Sequence, residues 1–188
     1  SYRDSVFKKP GSKDLVIVSA TFRLTSTPRP NLAYKDLKEY FAPEAAKTAP
    51  SQSEIRDAVI KIRAGKFPDL TKIGTAGSFW KNPMIALDHF QRLKARYPDM
   101  PSFPAGPASD PSAADPNRVK VPLAWILDKI CGLKGAMDGN VGLYEKQPLA
   151  LVAKAGATAS DIKAFEAKIR LIVKEKTAID IEPEVGFL

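Results

Sequence analysis

Residues 74–83 combine side chains that could do acid–base chemistry with a backbone that can turn sharply. The segment reads Gly-Thr-Ala-Gly-Ser-Phe-Trp-Lys-Asn-Pro, so Ser78 is followed by a cation, Lys81, and an amide, Asn82. A hydroxyl can donate or accept a proton, and glycine lets the backbone approach a ligand closely. The far end of the chain carries a second polar cluster, Glu182-Pro183-Glu184. Together the two segments predict an enzyme site assembled from distant parts of the sequence.

Several familiar kinds of site do not match the sequence. Trp80 stands where a Gly-x-Ser-x-Gly nucleophile elbow has its second glycine, and the single histidine, His89, is predicted to be a packing or surface residue of a helix. Taken alone, the Ser78 segment is more typical of a helix-capping turn than of a site. One cysteine, Cys131, and one histidine cannot build a zinc site, so no metal site is predicted, although carboxylates alone could still hold a hard cation weakly. Cys131 also cannot form an internal disulfide, which fits a cytoplasmic protein.

Composition and net charge limit the kinds of binding partner that the sequence predicts. The chain has 188 residues, 44% hydrophobic and 27% charged, which is ordinary for one large globular domain or two small ones. Its apolar runs are too short to span a membrane. The net charge of +8 invites a nucleic-acid partner, but the basic residues are scattered, with Lys8-Lys9 as the longest run. A few lysines holding a phosphate-bearing small ligand explain the excess as well. We therefore predict neither a nucleic-acid nor a membrane partner.

Hydrophobic periodicity predicts an α+β fold. Residues 15–24 are β-branched and apolar, which is typical of a buried strand. Residues 98–116 contain six prolines and are predicted to be a loop too poor in apolar side chains to pack. The absence of a βαβ rhythm favours α+β over α/β. The other predicted elements are helices over 36–41, 51–63, 83–97 and 121–130, a strand pair within 139–152, a helix capped by Thr158 and a last strand over 179–185.

Eight short segments occur in an order that is hard to obtain by chance. They are Tyr2-Arg3-Asp4-Ser5, Tyr34-Lys35-Asp36-Leu37 and residues 62–69, 76–83, 119–128, 132–135, 147–152 and 182–185. This succession resembles the C-terminal half of the UDP-N-acetylenolpyruvylglucosamine reductases (UDP-N-acetylmuramate dehydrogenases), in the subgroup with a mobile tyrosine loop. The resemblance runs essentially from end to end. Its most specific parts are the serine segment and the Glu-Pro-Glu-Val ending.

The resemblance implies a two-stage redox reaction of peptidoglycan precursor synthesis. NADPH reduces a bound FAD, and the flavin passes hydride to UDP-N-acetylglucosamine enolpyruvate to form UDP-N-acetylmuramate. The residue that matches the family's proton donor is Ser78. By the same matching, Glu184 stabilises the enol-like intermediate and Arg3 contacts the enolpyruvyl carboxylate.

The resemblance also assigns binding residues and domains. Residues 1–64 would be the C-terminal remnant of a FAD-binding α+β domain. Residues 65–176 would be a substrate-binding domain with a small mixed sheet and helices, and residues 177–188 a C-terminal strand carrying the catalytic glutamate. Arg63 would contact the cofactor. The matches expected to contact the UDP-sugar are Tyr34, Lys66, Asn82, Lys120 and Gln147.

One departure from the family is large. The Gly-rich flavin-binding loop of the family does not occur in this sequence, so we expect the chain by itself neither to bind FAD tightly nor to turn over. A smaller departure is Pro148, which follows Gln147 where a small residue is usual and could alter strand pairing. The alternative function is a non-catalytic module that binds a UDP-sugar. For either function we expect a monomer in the cytoplasm.

Overall fold

The computed structural model describes residues 5–8, 10–12, 14–42, 49–106 and 114–186. Of these, the residues up to Phe67 form one compact unit and the residues from Pro68 onward form a second. Arg3, the predicted carboxylate contact, lies outside the described residues. No helix among the described residues is long and apolar enough to cross a membrane.

The first unit is built from short helices. Two 3-10 turns, Val6–Lys8 and Pro10–Ser12, precede α1 (Lys35–Phe41) and α2 (Gln52–Lys66). A capping box forms at the start of α2, because Glu54 N–H donates to the Ser51 hydroxyl and Ser51 N–H donates to the Glu54 carboxylate. The Ser51 hydroxyl also donates to the Glu54 carboxylate at 2.7 Å, and this bond, followed by that from Ser51 N–H, lowers the pKa of Glu54. The helices predicted over residues 36–41 and 51–63 are both confirmed, as α1 and α2.

The prediction of a buried strand over residues 15–24 is wrong for this structure. The segment runs without strand pairing, and its apolar side chains are exposed, 91% for Val18 and 85% for Leu24. A β-propensity describes side chains that fit a pleated, half-buried surface, and such a surface needs a neighbouring strand. The described part of the first unit contains no strand, so it offers none.

The described residues of the second unit form two antiparallel sheets. Its strands are β1 (Gly74–Ser78), β2 (Met84–Ala86), β3 (Phe103–Ala105), β4 (Asp115–Lys120), β5 (Met137–Asp138), β6 (Val141–Tyr144) and β7 (Gln147–Ala153). The four-stranded sheet has the order β1-β7-β6-β5 and the three-stranded sheet the order β2-β4-β3. The α+β class is confirmed. One detail is corrected, because all the strand pairs among the described residues are antiparallel and the sheets are not mixed.

Helices accompany the sheets in the described part of the second unit. They are α3 (Leu87–Arg96), α4 (Leu123–Trp125), which continues as a π-helical turn over Ile126–Ile130, and α5 (Ala159–Thr177). The helix predicted from residue 83 begins only at Leu87, because Met84–Ala86 pair with β4 instead. At the start of α5, Thr158 and Asp161 form the second capping box, as predicted.

One hydrophobic core joins these elements. It contains Leu143 and Leu151 of the sheet, Ile126 and Leu127 after α4, and Ile169 of α5. Trp125 is partly buried and packs against this core. The expectation that residues 98–116 are too polar to pack is wrong at their start, because Met100 is completely buried and β3 pairs with β4.

Candidate functional site

The chain's last described residues dock beside Ser78. Trp80 and Pro183 form an antiparallel bridge, Lys81 N–H donates to the Glu182 carbonyl at 3.0 Å, and Glu184 N–H donates to the Phe79 carbonyl at 2.7 Å. The residue next to Ser78 therefore holds the backbone of Glu184. We call residues 78–82 with residues 182–184 the Ser78–Glu184 junction. The predicted last strand is reduced to this one bridge.

A bulge in β1 sets the position of Ser78. Thr75 lies opposite Val152 and Ser78 lies opposite Ala150, so β1 has one residue more than β7 over this stretch. The extra residue is accommodated at Gly77, whose φ of 80° is favourable only for glycine. Beyond the bulge Ser78 is exposed, and its hydroxyl has no hydrogen-bond partner among the described residues. The hydroxyl is thus accessible to a ligand.

Lys81 is less free to act on Ser78 than its position in the sequence suggests. Its ammonium lies 3.2 Å from a carboxylate oxygen of Glu182, and both side chains are largely exposed. This ion pair crosses the junction beside the backbone bond between the same two residues. Its energy is small because both partners are solvated. Lys81 therefore belongs to the contacts that align residues 182–184.

Asn82 has half of its amide committed to the fold. Its Oδ1 accepts a hydrogen bond of 3.0 Å from the backbone N–H of Leu123 at the start of α4. Since an N–H can only donate, the amide oxygen must face Leu123, and the orientation of the side chain is settled. The amide nitrogen has no hydrogen-bond partner among the described residues. Asn82 consequently offers two donors, and no acceptor, to a ligand.

Lys120 lies on a platform that sequence reasoning did not identify. It ends β4 opposite both Met84 of β2 and Phe103 of β3, and those two side chains are exposed. Lys120 itself is half-buried and makes no ion pair with another described residue. An exposed aromatic beside an unpaired cation can receive a planar ring and a phosphate. The sequence feature that could have pointed to Phe103 as a binding residue is its isolated aromatic side chain within a Pro-rich, polar stretch.

Gln147 begins β7, three residues before the partner of Ser78. It lies opposite Tyr144, and its Oε1 accepts a hydrogen bond of 3.4 Å from Leu149 N–H. Pro148 does not interrupt the pairing, because the Leu149 carbonyl still accepts from Phe79 N–H at 2.8 Å. Gln147 is therefore held on the strand that also supports Ser78.

Residues 69–188 match the family model of the C-terminal domain of UDP-N-acetylenolpyruvoylglucosamine reductase, which is more than half of the chain. The chain belongs to this family. The reductase of Porphyromonas gingivalis is 38% identical over all 188 residues, which are 52% of its own length. That of Paraburkholderia xenovorans is 40% identical over 184 residues, 97% of this chain and 50% of the relative. The chain spans about half the length of the curated relatives it matches.

Three residues implied by the family resemblance lie in the first unit. Tyr34 is the exposed N-cap residue of α1. Lys66, at the end of α2, forms an ion pair of 2.5 Å with Asp36 of α1. Arg63 lies with its guanidinium 4.8 Å from the centre of the Phe67 ring. Tyr34 is the N-cap residue of α1, and Asp36 lies in the first turn of that helix. The ion pair with Asp36 therefore brings Lys66, at the end of α2, to the end of α1 where Tyr34 lies.

Other chemistries find no support in the described residues. They contain no group of three or more His, Cys, Asp or Glu side chains that could hold a metal ion. Burial raises the pKa of the Cys131 thiol, an effect only partly opposed by Lys176. A buried cysteine with a raised pKa is a poor nucleophile. The Ser78–Glu184 junction of this reductase-family chain is therefore the candidate site.

Proposed function

We propose that this chain supplies the substrate-holding and proton-delivery part of a reductase that converts UDP-N-acetylglucosamine enolpyruvate to UDP-N-acetylmuramate, in cytoplasmic peptidoglycan precursor synthesis. The observation that carries the proposal is the pairing of residues 182–184 with residues 79–81, which brings two segments about a hundred residues apart to one point. Membership of a family whose named relatives are UDP-N-acetylenolpyruvoylglucosamine reductases supports it.

The reaction requires a hydride and a proton on the two carbons of an enolpyruvyl double bond. Hydride addition to the terminal carbon breaks the π bond and leaves negative charge on the α-carbon and its carboxylate. Ser78 Oγ then gives its proton to the α-carbon, which completes the second C–H bond, and solvent reprotonates the exposed oxygen. Glu184 and Arg3 are proposed to act on the charge that develops between the two steps.

Substrate holding falls to groups near the junction. The ammonium of Lys120 suits a diphosphate, and Phe103 beside it offers an apolar face to a uracil ring. The amide donors of Asn82 suit carbonyl or phosphate oxygens, since its own oxygen is occupied by Leu123. Gln147 of β7 is a further proposed contact near the junction, and Tyr34 and Lys66 of the first unit are proposed contacts on the basis of the family resemblance alone. Because Lys66 already pairs with Asp36, substrate phosphate would compete with that carboxylate.

NADPH and FAD are the proposed sources of the hydride. Arg63, the proposed cofactor contact, lies with its guanidinium over the Phe67 ring, and the apolar side chains of residues 15–24 are exposed. A bound FAD, reduced by NADPH, would supply the hydride, and the described residues are proposed to hold the substrate and deliver the proton. We expect the purified chain to show no flavin absorbance, and tightly bound flavin after purification would contradict this part of the proposal.

Calorimetric titration with UDP-N-acetylglucosamine enolpyruvate tests the holding role in this chain. We expect measurable binding, weakened about tenfold by Lys120→Met because a charge-assisted phosphate contact is lost. Lys154→Met removes an exposed lysine at the far end of β7 and should leave the affinity unchanged. Equal effects of the two substitutions would contradict the assignment of Lys120.

The alternative, a UDP-sugar-binding module without redox chemistry, shares these contacts. It is distinguished in a flavin-loaded full-length reductase that carries this sequence. There Ser78→Ala should leave flavin reduction by NADPH nearly unchanged and abolish flavin reoxidation by the enolpyruvyl substrate, because the proton donor is gone. Unaltered reoxidation would remove Ser78 from the mechanism, and the complete absence of substrate-driven reoxidation in the unsubstituted protein would favour the binding module.

The chain is also proposed to be a monomer. Light scattering, which measures the molar mass in solution, tests this proposal.

A further inference from the structure

The only histidine of the sequence links the two segments that lead to Ser78 and Glu184, the proposed proton donor and the residue proposed to stabilise the intermediate. His89 lies in the first turn of α3, eleven residues after Ser78, and its Nε2 is 2.8 Å from the carbonyl oxygen of Thr177. Thr177 is the last residue of α5, seven residues before Glu184. Because a carbonyl can only accept, Nε2 must carry the hydrogen.

The carbonyl that His89 engages is one that the helix cannot satisfy. The last four carbonyls of an α-helix have no partner within it, and a side-chain donor from elsewhere can replace that partner. Here the helix ends sharply, with Ala178 in the left-handed region at φ 55°. The buried Thr177 hydroxyl donates to the Val173 carbonyl at 2.6 Å and accepts from Ile179 N–H at 3.2 Å. His89 thus donates a hydrogen bond to the residue at which α5 ends.

The direction of the chain after Thr177 decides where Glu184 lies. Ile179 and Ile181 are buried in the core, and the next residues pair with residues 79–81. A shift of the end of α5 would be transmitted along this short extended segment to the junction.

We propose that His89 is a positioning residue, which donates Nε2–H to the Thr177 carbonyl and thereby holds Glu184 in register with the Ser78 segment. It does not contact the reacting atoms. The functional meaning of this role rests on the function proposed above, but the contact itself can be tested without substrate or flavin.

Backbone hydrogen exchange measured by NMR on the chain tests the proposal. In His89→Leu, which keeps an apolar body but removes the donor, the Ile179 and Glu184 amides should exchange about tenfold faster, since one net hydrogen bond is lost at the end of α5. The amides of Leu143 and Lys154, which donate to the carbonyls of Ala136 and Asn140, are controls within the same unit and should change less than twofold. His89→Gln can present an amide N–H near the position of Nε2 and should restore protection.

Each other outcome overturns the proposal. Unchanged exchange at Ile179 and Glu184 would show that the contact does not hold the segment. Equal acceleration at the control amides would reveal a merely structural role in the whole unit. Loss of protection in both the Leu and Gln variants would exclude the donor role. His89→Ala is the second donor-free variant should the Leu variant not fold. Failure here leaves the reductase proposal standing, because that proposal is tested by Lys120→Met and Ser78→Ala.

Discussion

Two segments whose sequences favour β-strands differ in burial and in backbone pairing. Residues 15–24 are mostly apolar, and yet they lie exposed and unpaired in the first unit. Residues 179–184 are shorter and alternate Ile with acidic side chains, and yet Ile181 is 1% exposed and the segment is bound to residues 79–81. The difference teaches that apolar content alone does not bury a strand. A strand becomes buried when a neighbouring segment offers it unpaired backbone groups and its side chains fit into the hydrophobic core.

The strongest test of this comparison truncates one isoleucine. Ile181→Ala should lower the free energy of unfolding of the second unit by about 2–4 kcal/mol, because it leaves a cavity in a packed core. Val18→Ala in the exposed segment should change stability by less than about 0.5 kcal/mol. Urea denaturation measures both variants, with tryptophan fluorescence reporting the second unit, which contains Trp80 and Trp125, and far-UV circular dichroism also reporting the helices of the first unit. Similar losses for the two variants would contradict the assigned burial.

The backbone on the receiving side gives the next largest effect. Gly77→Ala should destabilise the second unit by about 1–2 kcal/mol, because alanine at φ 80° is strained even though nothing lies near the added Cβ. Gly65→Ala is the matched control, since that position is helical, equally open and expected to gain up to about 1 kcal/mol. A neutral Gly77→Ala would show that the bulge in β1 can relax without cost.

The turn that sends the chain toward the junction offers a stabilising change. Ala178 is the only non-glycine residue with positive φ among those described, so Ala178→Gly should raise the free energy of unfolding by about 0.5–1 kcal/mol. Ala164→Gly, inside α5, should lower it by about 1 kcal/mol. Thermal unfolding by circular dichroism measures the pair. A lower melting temperature for Ala178→Gly would mean that the left-handed conformation is not kept in solution.

The smallest effect concerns the other end of α5. Hydrogen bonds from the Thr158 backbone and hydroxyl lower the pKa of Asp161 in the folded protein. A depressed folded pKa stabilises the fold above the unfolded pKa, near about 4, and that contribution is lost as the pH falls through the folded value. Asp161→Asn should therefore weaken the acid sensitivity of stability, seen in urea titrations between about pH 5 and pH 2. An identical pH profile would exclude the capping bond as its source.

Prediction from sequence succeeded where a structure depends on neighbours in the chain. The α+β class and both capping boxes follow from patterns within a few residues of each other, as do most helix positions. Predictions of burial failed for residues 15–24 and for Met100, because burial depends on what lies opposite. The assignments of Ser78, Glu184 and the substrate contacts came from family resemblance and stay predictions for the experiments above.

The sequence by itself determined which segments could turn, cap a helix or form a strand, since these preferences arise from backbone sterics and hydrogen bonds to adjacent residues. Only the tertiary structure decided that Glu184 meets the Ser78 segment, that the Asn82 oxygen serves Leu123 across 41 residues, and that His89 reaches Thr177 across 88. Contacts of that span leave no local pattern, because they are selected by the packing of a common core and not by the propensities of either partner.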